Sequence, residues 1–175
     1  MLAVPFVRPR VLVAALAAVL AACTDTATPV AAPSAAREVP VAELKQAPSL
    51  LSCQQQPYAI TSQTIGLLGG TVRVGNHRLE IPAGALLAPV LITAEAPADN
   101  VASVRFFPEG LRFLLPAYLT LDYSHCPSAS TKPDKSAVFT TDGLGILSLL
   151  GSTDDTTQTR VTTLIDHFSR YAVAW

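Results

Sequence analysis

Thr71-Val-Arg-Val-Gly-Asn-His-Arg-Leu-Glu-Ile81 is the stretch that decides the fold. On each side of Gly75-Asn76 apolar and polar residues alternate, which puts Val72, Val74, Leu79 and Ile81 on one face of two short strands. Two residues between the strands are enough for a hairpin when a glycine supplies the positive φ angle, and Gly75 is placed to do so. Pro82-Ala-Gly-Ala85 then stops the hairpin, because proline cannot donate to a ladder. A helix would need its apolar residues three and four apart, and this segment has them two apart.

The same short alternation continues toward the C-terminus. Val90–Ala96, Val101–Phe107, Leu111–Phe113, Tyr118–Tyr123, Ala137–Thr141, Leu144–Leu150 and Thr159–Ile165 read as further strands, separated by turn residues at close intervals. Eight or nine antiparallel strands in about 110 residues predict an all-β sandwich. Within Tyr118–Tyr123, Leu119, Leu121 and Tyr123 point to the core while Tyr118, Thr120 and Asp122 face water, and Pro116 is expected at the strand's first position or at an edge. Asp142-Gly143 is expected to close a second tight hairpin. The phenylalanines are spread one or two per strand, as core filling requires.

Toward the N-terminus the composition changes. Of the 175 residues 50% are hydrophobic and 14% charged, but residues 1–36 alone hold twelve alanines, so part of the apolar total belongs to a leader. Arg8 and Arg10 precede the unbroken apolar run Val11–Leu20, the order of a secretory signal, and ten residues are too few to span a bilayer as a helix. Leu20-Ala21-Ala22-Cys23 follows, and it resembles the lipobox of bacterial lipoproteins. That resemblance implies cleavage before Cys23 and acylation of Cys23, hence a lipid bilayer as partner. Several acyl chains, at about 0.8 kcal/mol per buried methylene, hold a protein durably. Thr24 is not the aspartate that retains such proteins at the inner membrane, so the expected location is the cell envelope, at the outer membrane in a Gram-negative host.

Residues 23–51 are rich in Ala, Pro, Thr and Ser, with Pro29, Pro33, Pro40 and Pro48 spaced to interrupt any regular element, and are expected to form a tether to a domain at 52–175. Without residues 1–22 the chain keeps ten basic and thirteen acidic side chains, a net charge of -3, which leaves no basic field for nucleic acid. Cys53 and Cys126 are the only other cysteines, and in an oxidising compartment they are expected to pair. His77, His125 and His167 show no ligand spacing and His125-Cys126 is a weak pair, so neither metal nor cofactor is expected.

Gly69-Gly-Thr-Val72, Leu79-Glu-Ile-Pro-Ala-Gly-Ala-Leu86, Phe113, Leu119-Thr-Leu-Asp-Tyr123 and His167-Phe-Ser-Arg-Tyr171 are similar in order and spacing to the ZU-five domain of zonula occludens proteins, netrin receptors and ankyrins. The resemblance covers about Ile65 to Trp175. It implies a β-sandwich used for protein contacts. The sequence carries no phosphate loop, paired-acid site or cofactor fingerprint, so no turnover of an outside substrate is expected, and with the lipobox and tether the expected partner is an unknown protein or envelope polymer. In some relatives of that domain the histidine-phenylalanine-serine motif cuts its own backbone, so His167, Phe168 and Ser169 are the candidate autoprocessing residues. On a strand, side chains 167 and 169 would share a face roughly 6.6 Å apart, with His167 as general base for Ser169. Asp166 would then lie on the opposite face, away from the pair.

Overall fold

The computed structural model describes residues 47–175; the leader, Cys23 and most of the expected tether lie outside the described residues. Eleven strands follow in order: β1 Ala59–Ile65, β2 Gly70–Val74, β3 His77–Ile81, β4 Val90–Ala96, β5 Ser103–Phe107, β6 Arg112–Asp122, β7 Ser136–Thr140, β8 Ile146–Leu149, β9 Ser152–Asp155, β10 Arg160–His167 and β11 Arg170–Ala174. They form two antiparallel sheets, six strands in the order β1-β4-β5-β11-β7-β8 and five in the order β2-β3-β6-β10-β9. The protein is an all-β sandwich, as the alternation predicts.

Core residues come from alternate positions of both sheets. Val72, Leu79, Leu119, Leu121, Val161 and Ile165 of the five-stranded sheet meet Ile92, Ala94, Val104, Phe106, Tyr171 and Val173 of the six-stranded one. The β2–β3 hairpin turns at Gly75, whose φ is 53°, and Val74 pairs with His77 across it. Its four expected inward residues are all buried.

Several local expectations are corrected. Pro116 neither opens a strand nor sits at an edge; it lies inside β6, in the middle of its sheet. Its missing N–H is tolerated because the β6–β10 register shifts between Ile165 and His167, and the β3–β6 pairing reaches only Tyr118. Leu111–Phe113 and Tyr118–Tyr123 are therefore one strand. Asp122, expected to face water, is buried, because Ser124 folds back and donates to its carboxylate while Arg160 covers it. The Asp142-Gly143 turn is a five-residue loop in which Leu144, not the glycine, takes the positive φ of 63°. Thr141 fixes that loop, exchanging backbone bonds with Gly145 and Leu144 and accepting at Oγ1 from the Gly145 N–H.

β1, β9 and β11 have no counterpart among the expected strands. The stretch expected as tether also ends earlier than Leu51. Ser49 exchanges two backbone hydrogen bonds with Trp175, and Leu51 donates to Val173 and is buried. β5 pairs with β11 only as far as Ala172, so the incoming chain takes the vacant place beside the end of β11.

The strand directions sort the loops onto two ends. One end carries the β1–β2, β3–β4, β5–β6, β7–β8 and β10–β11 connections. The opposite end carries the entering chain at Ser49, the C-terminal Trp175 and the β6–β7 connection.

Candidate functional site

His167, Phe168 and Ser169 do not lie along one strand. His167 ends β10 in the five-stranded sheet and Arg170 begins β11 in the six-stranded sheet, so the three residues make the crossing between sheets. The expected shared face is thus corrected: a crossing rotates successive side chains away from strand alternation. Phe168 is the pivot. Its ring is fully buried, stacked on Phe106 with centroids 5.2 Å apart and edge-on to Phe113 at 5.1 Å. Its backbone is held on both sides, the N–H donating to Leu111 (2.8 Å) and the carbonyl accepting from the Gly110 N–H (3.0 Å).

Ser169 is buried, and its carbonyl accepts from the Phe106 N–H at 3.1 Å. His167 is half-exposed against Phe139, its carbonyl accepts the Tyr171 hydroxyl at 2.6 Å, and its Nδ1 lies 2.7 Å from the Asp166 carboxylate. Asp166 is not turned away, as strict alternation required; the register shift after Ile165 brings it to the ring. The hydrogen bond from His167 holds the Asp166 carboxyl below the usual range. Burial raises the Tyr171 phenol well above its ordinary value, so it stays a donor.

At the opposite end Cys53 and Cys126 are joined in a disulfide that closes 73 residues of chain. Cys126 follows β6 and opens a 3₁₀ turn, Pro127–Thr131. The bridge therefore ties the entering segment to the end of the central strand, the connection its position in the sequence suggests. His125 lies beside it, and the ligand atoms of Cys53, His125 and Cys126 are within 4.8 Å of one another. In the oxidised protein the two sulfurs bond each other and are spent as thiolate ligands.

His77 is buried nearby and accepts at Nδ1 from the Asp122 N–H at 3.2 Å. Desolvation lowers its pKa to about 4, against the opposing pull of Asp122 and Asp99, and burial likewise lowers that of His125. Tyr58, His77, Asp99, Val101 and His125 line a depression of about 240 Å³ here, below the usual range for small-molecule sites. No protein-family model matches the chain, and no curated protein matches it.

Two features escaped the sequence reading. One is a buried polar cluster in which Asp154 accepts from the Tyr123 hydroxyl (2.6 Å) and the Lys135 N–H (3.0 Å), with the Lys135 ammonium at 3.6 Å. Lys135 and Asp154 sit in polar stretches that read as loop, and Tyr123 reads as an ordinary inward strand residue. The other is a leucine tip at the His167 end. Leu67 and Leu68 of the β1–β2 loop, Leu87 of the β3–β4 loop, and Leu114 and Leu115 of β6 are all exposed. Backbone bonds tie the three segments together, Gly84 N–H to Leu67 and Leu114 N–H to Ala85. Gly69 lets the first loop close, since a Cβ there would lie 2.3 Å from the Ile81 carbonyl oxygen. The signal was legible: residues 46–72 and 81–94 contain no charged side chain. Among the described residues no helix is long and apolar enough to cross a membrane.

Proposed function

We propose that this chain is a lipid-anchored envelope protein whose ZU-five-like sandwich makes non-enzymatic contacts with a protein or an envelope polymer. The observation that carries the reading is Leu20-Ala21-Ala22-Cys23 placed directly after a charged start and a ten-residue apolar run. The Cys53–Cys126 bridge supports it, because such bonds persist outside a reducing cytosol. So does the absence of any phosphate loop, paired-acid site or cofactor fingerprint in the sequence. The anchor is acylated Cys23, and Thr24 directs the product to the outer membrane in a Gram-negative host. Labelled palmitate enters the wild-type chain and not Cys23→Ala; equal labelling of the two removes the anchor.

A second reading is favoured by the Gly110 N–H aimed at the Phe168 carbonyl, the donor that a developing oxyanion there would need. Ser169 Oγ attacks the Phe168 carbonyl carbon, the C–N bond to Ser169 breaks, and His167 passes the hydroxyl proton to the departing amine. Water then hydrolyses the ester, leaving a heptapeptide from Ser169 to Trp175 seated in the sheet. Purified protein that loses the mass of this peptide on denaturation, with Ser169→Ala intact, establishes the reading. A wild-type chain still continuous through Trp175 after days at neutral pH ends it.

A further inference from the structure

The leucine tip shares the His167 end of the sandwich but takes part in neither functional reading. Leu68 is 89% exposed and Leu87 77%, on loop ends and not in a groove or on a flat sheet face. The segments that carry them are uncharged over residues 46–72 and 81–94, and β6 is uncharged from Phe113 to Leu121. The charged groups at this end are paired with one another, Arg112 with Asp166 at 3.9 Å and Arg105 with Glu109 at 3.8 Å and Asp142 at 2.9 Å. Protein interfaces centre on aromatic and arginine anchors ringed by polar groups, and the tip's loops supply none of these. Hydrocarbon asks for no hydrogen bond and no charge, only apolar surface standing clear of the fold.

The length of the preceding chain decides which membrane is within reach. The tip lies at the end of the sandwich opposite Ser49, where the chain enters. The longest strand, β6, has 11 residues, about 36 Å of sheet. The 26 peptide links from Cys23 to Ser49 can span up to about 90 Å. That exceeds the length of the sandwich more than twofold, so a domain fixed at Cys23 can present either end to the surface that holds it.

We propose that Leu67, Leu68 and Leu87, backed by Leu114 and Leu115, dip into the acyl region of the bilayer to which Cys23 is anchored, seating the sandwich end-on. This rests on the reading of Cys23 as the lipidated residue. The hydrogen bonds among the three segments present the leucines as a preformed wedge, so no ordering of loops opposes insertion.

Leu68→Trp tests it, in the full mature chain purified from membranes and reconstituted into phosphatidylethanolamine/phosphatidylglycerol vesicles with or without brominated acyl chains. The wild-type protein, whose single tryptophan Trp175 lies at the opposite end, is the baseline. Insertion gives an L68W emission shifted to the blue and lost on brominated lipid, with the Trp175 emission unchanged. Emission typical of water, indifferent to bromine, overturns the proposal. A blue shift that bromine does not quench also overturns it and assigns the tip to protein, a second copy if the species doubles in mass. The acyl mass at Cys23 is read on the same sample: its absence overturns the anchor and the proposal together, whereas its presence without quenching overturns the tip alone.

Discussion

His77 shows how one buried side chain sets a pH dependence. Its Nδ1 accepts from the Asp122 N–H, an arrangement that a proton on that nitrogen would destroy, and desolvation lowers its pKa to about 4. In the unfolded chain the same ring titrates near 6.5, so between about pH 6.5 and 4 the unfolded state holds more protons than the folded one. The contribution of His77 is therefore complete above about pH 6.5 and is lost as the pH falls toward 4, on the order of 3 kcal/mol in all. Urea midpoints measured from pH 7.5 to 4 are expected to fall along that curve in the wild type. His77→Gln, which keeps an acceptor and cannot titrate, should flatten the curve across the same window. Phe168 works by packing: with two aromatic neighbours and no exposed surface, Phe168→Ala should cost about 3–5 kcal/mol in the same assay. A loss below about 1 kcal/mol would mean that the crossing between sheets is not where the core closes.

At the scale of elements, the disulfide is the constraint whose value follows from topology. Closing 73 residues is worth about 4 kcal/mol in the chain-entropy account, a large share of the stability of an ordinary domain. The double variant Cys53→Ala/Cys126→Ala should lower the free energy of unfolding by about that amount; a change under about 1 kcal/mol would show that packing of Leu51 and the ladder from Ser49 to Trp175 already pins the segment. What was legible in the sequence follows a physical line. Strands with one buried and one wet face announce themselves by period two, and Val72, Val74, Leu79, Ile81, Leu119 and Leu121 were all placed correctly by it. β9, Ser-Thr-Asp-Asp, was not legible because it is an edge strand whose inward positions, Ser152 and Asp154, are polar and make hydrogen bonds where an apolar residue would mark the strand. β11 was not, because Tyr171, Ala172, Val173 and Ala174 are buried on both faces of a central strand and show no alternation. Pro116 misled because its tolerance depends on a register shift in a different strand, β10. His167, Phe168 and Ser169 were expected along one strand and instead cross between sheets, since three letters do not say that the chain changes sheets there.

At the scale of the whole molecule, the two ends of the sandwich differ in chemistry. One end holds the entering chain, the disulfide and the buried histidine His77, and the other holds the sheet crossing at Phe168 and the uncharged leucine tip. The first end receives the preceding chain at Ser49 and the second carries the exposed leucines. The central claim is that this body is carried into an envelope and held there by lipid on Cys23. Intact mass spectrometry of the native product, extracted from host membranes, tests that claim most directly. The account predicts a chain that begins at Cys23, carries the added mass of acyl chains and contains one disulfide; an unmodified chain, recovered from the aqueous fraction with Cys23 as a free thiol or cleaved elsewhere, would contradict it.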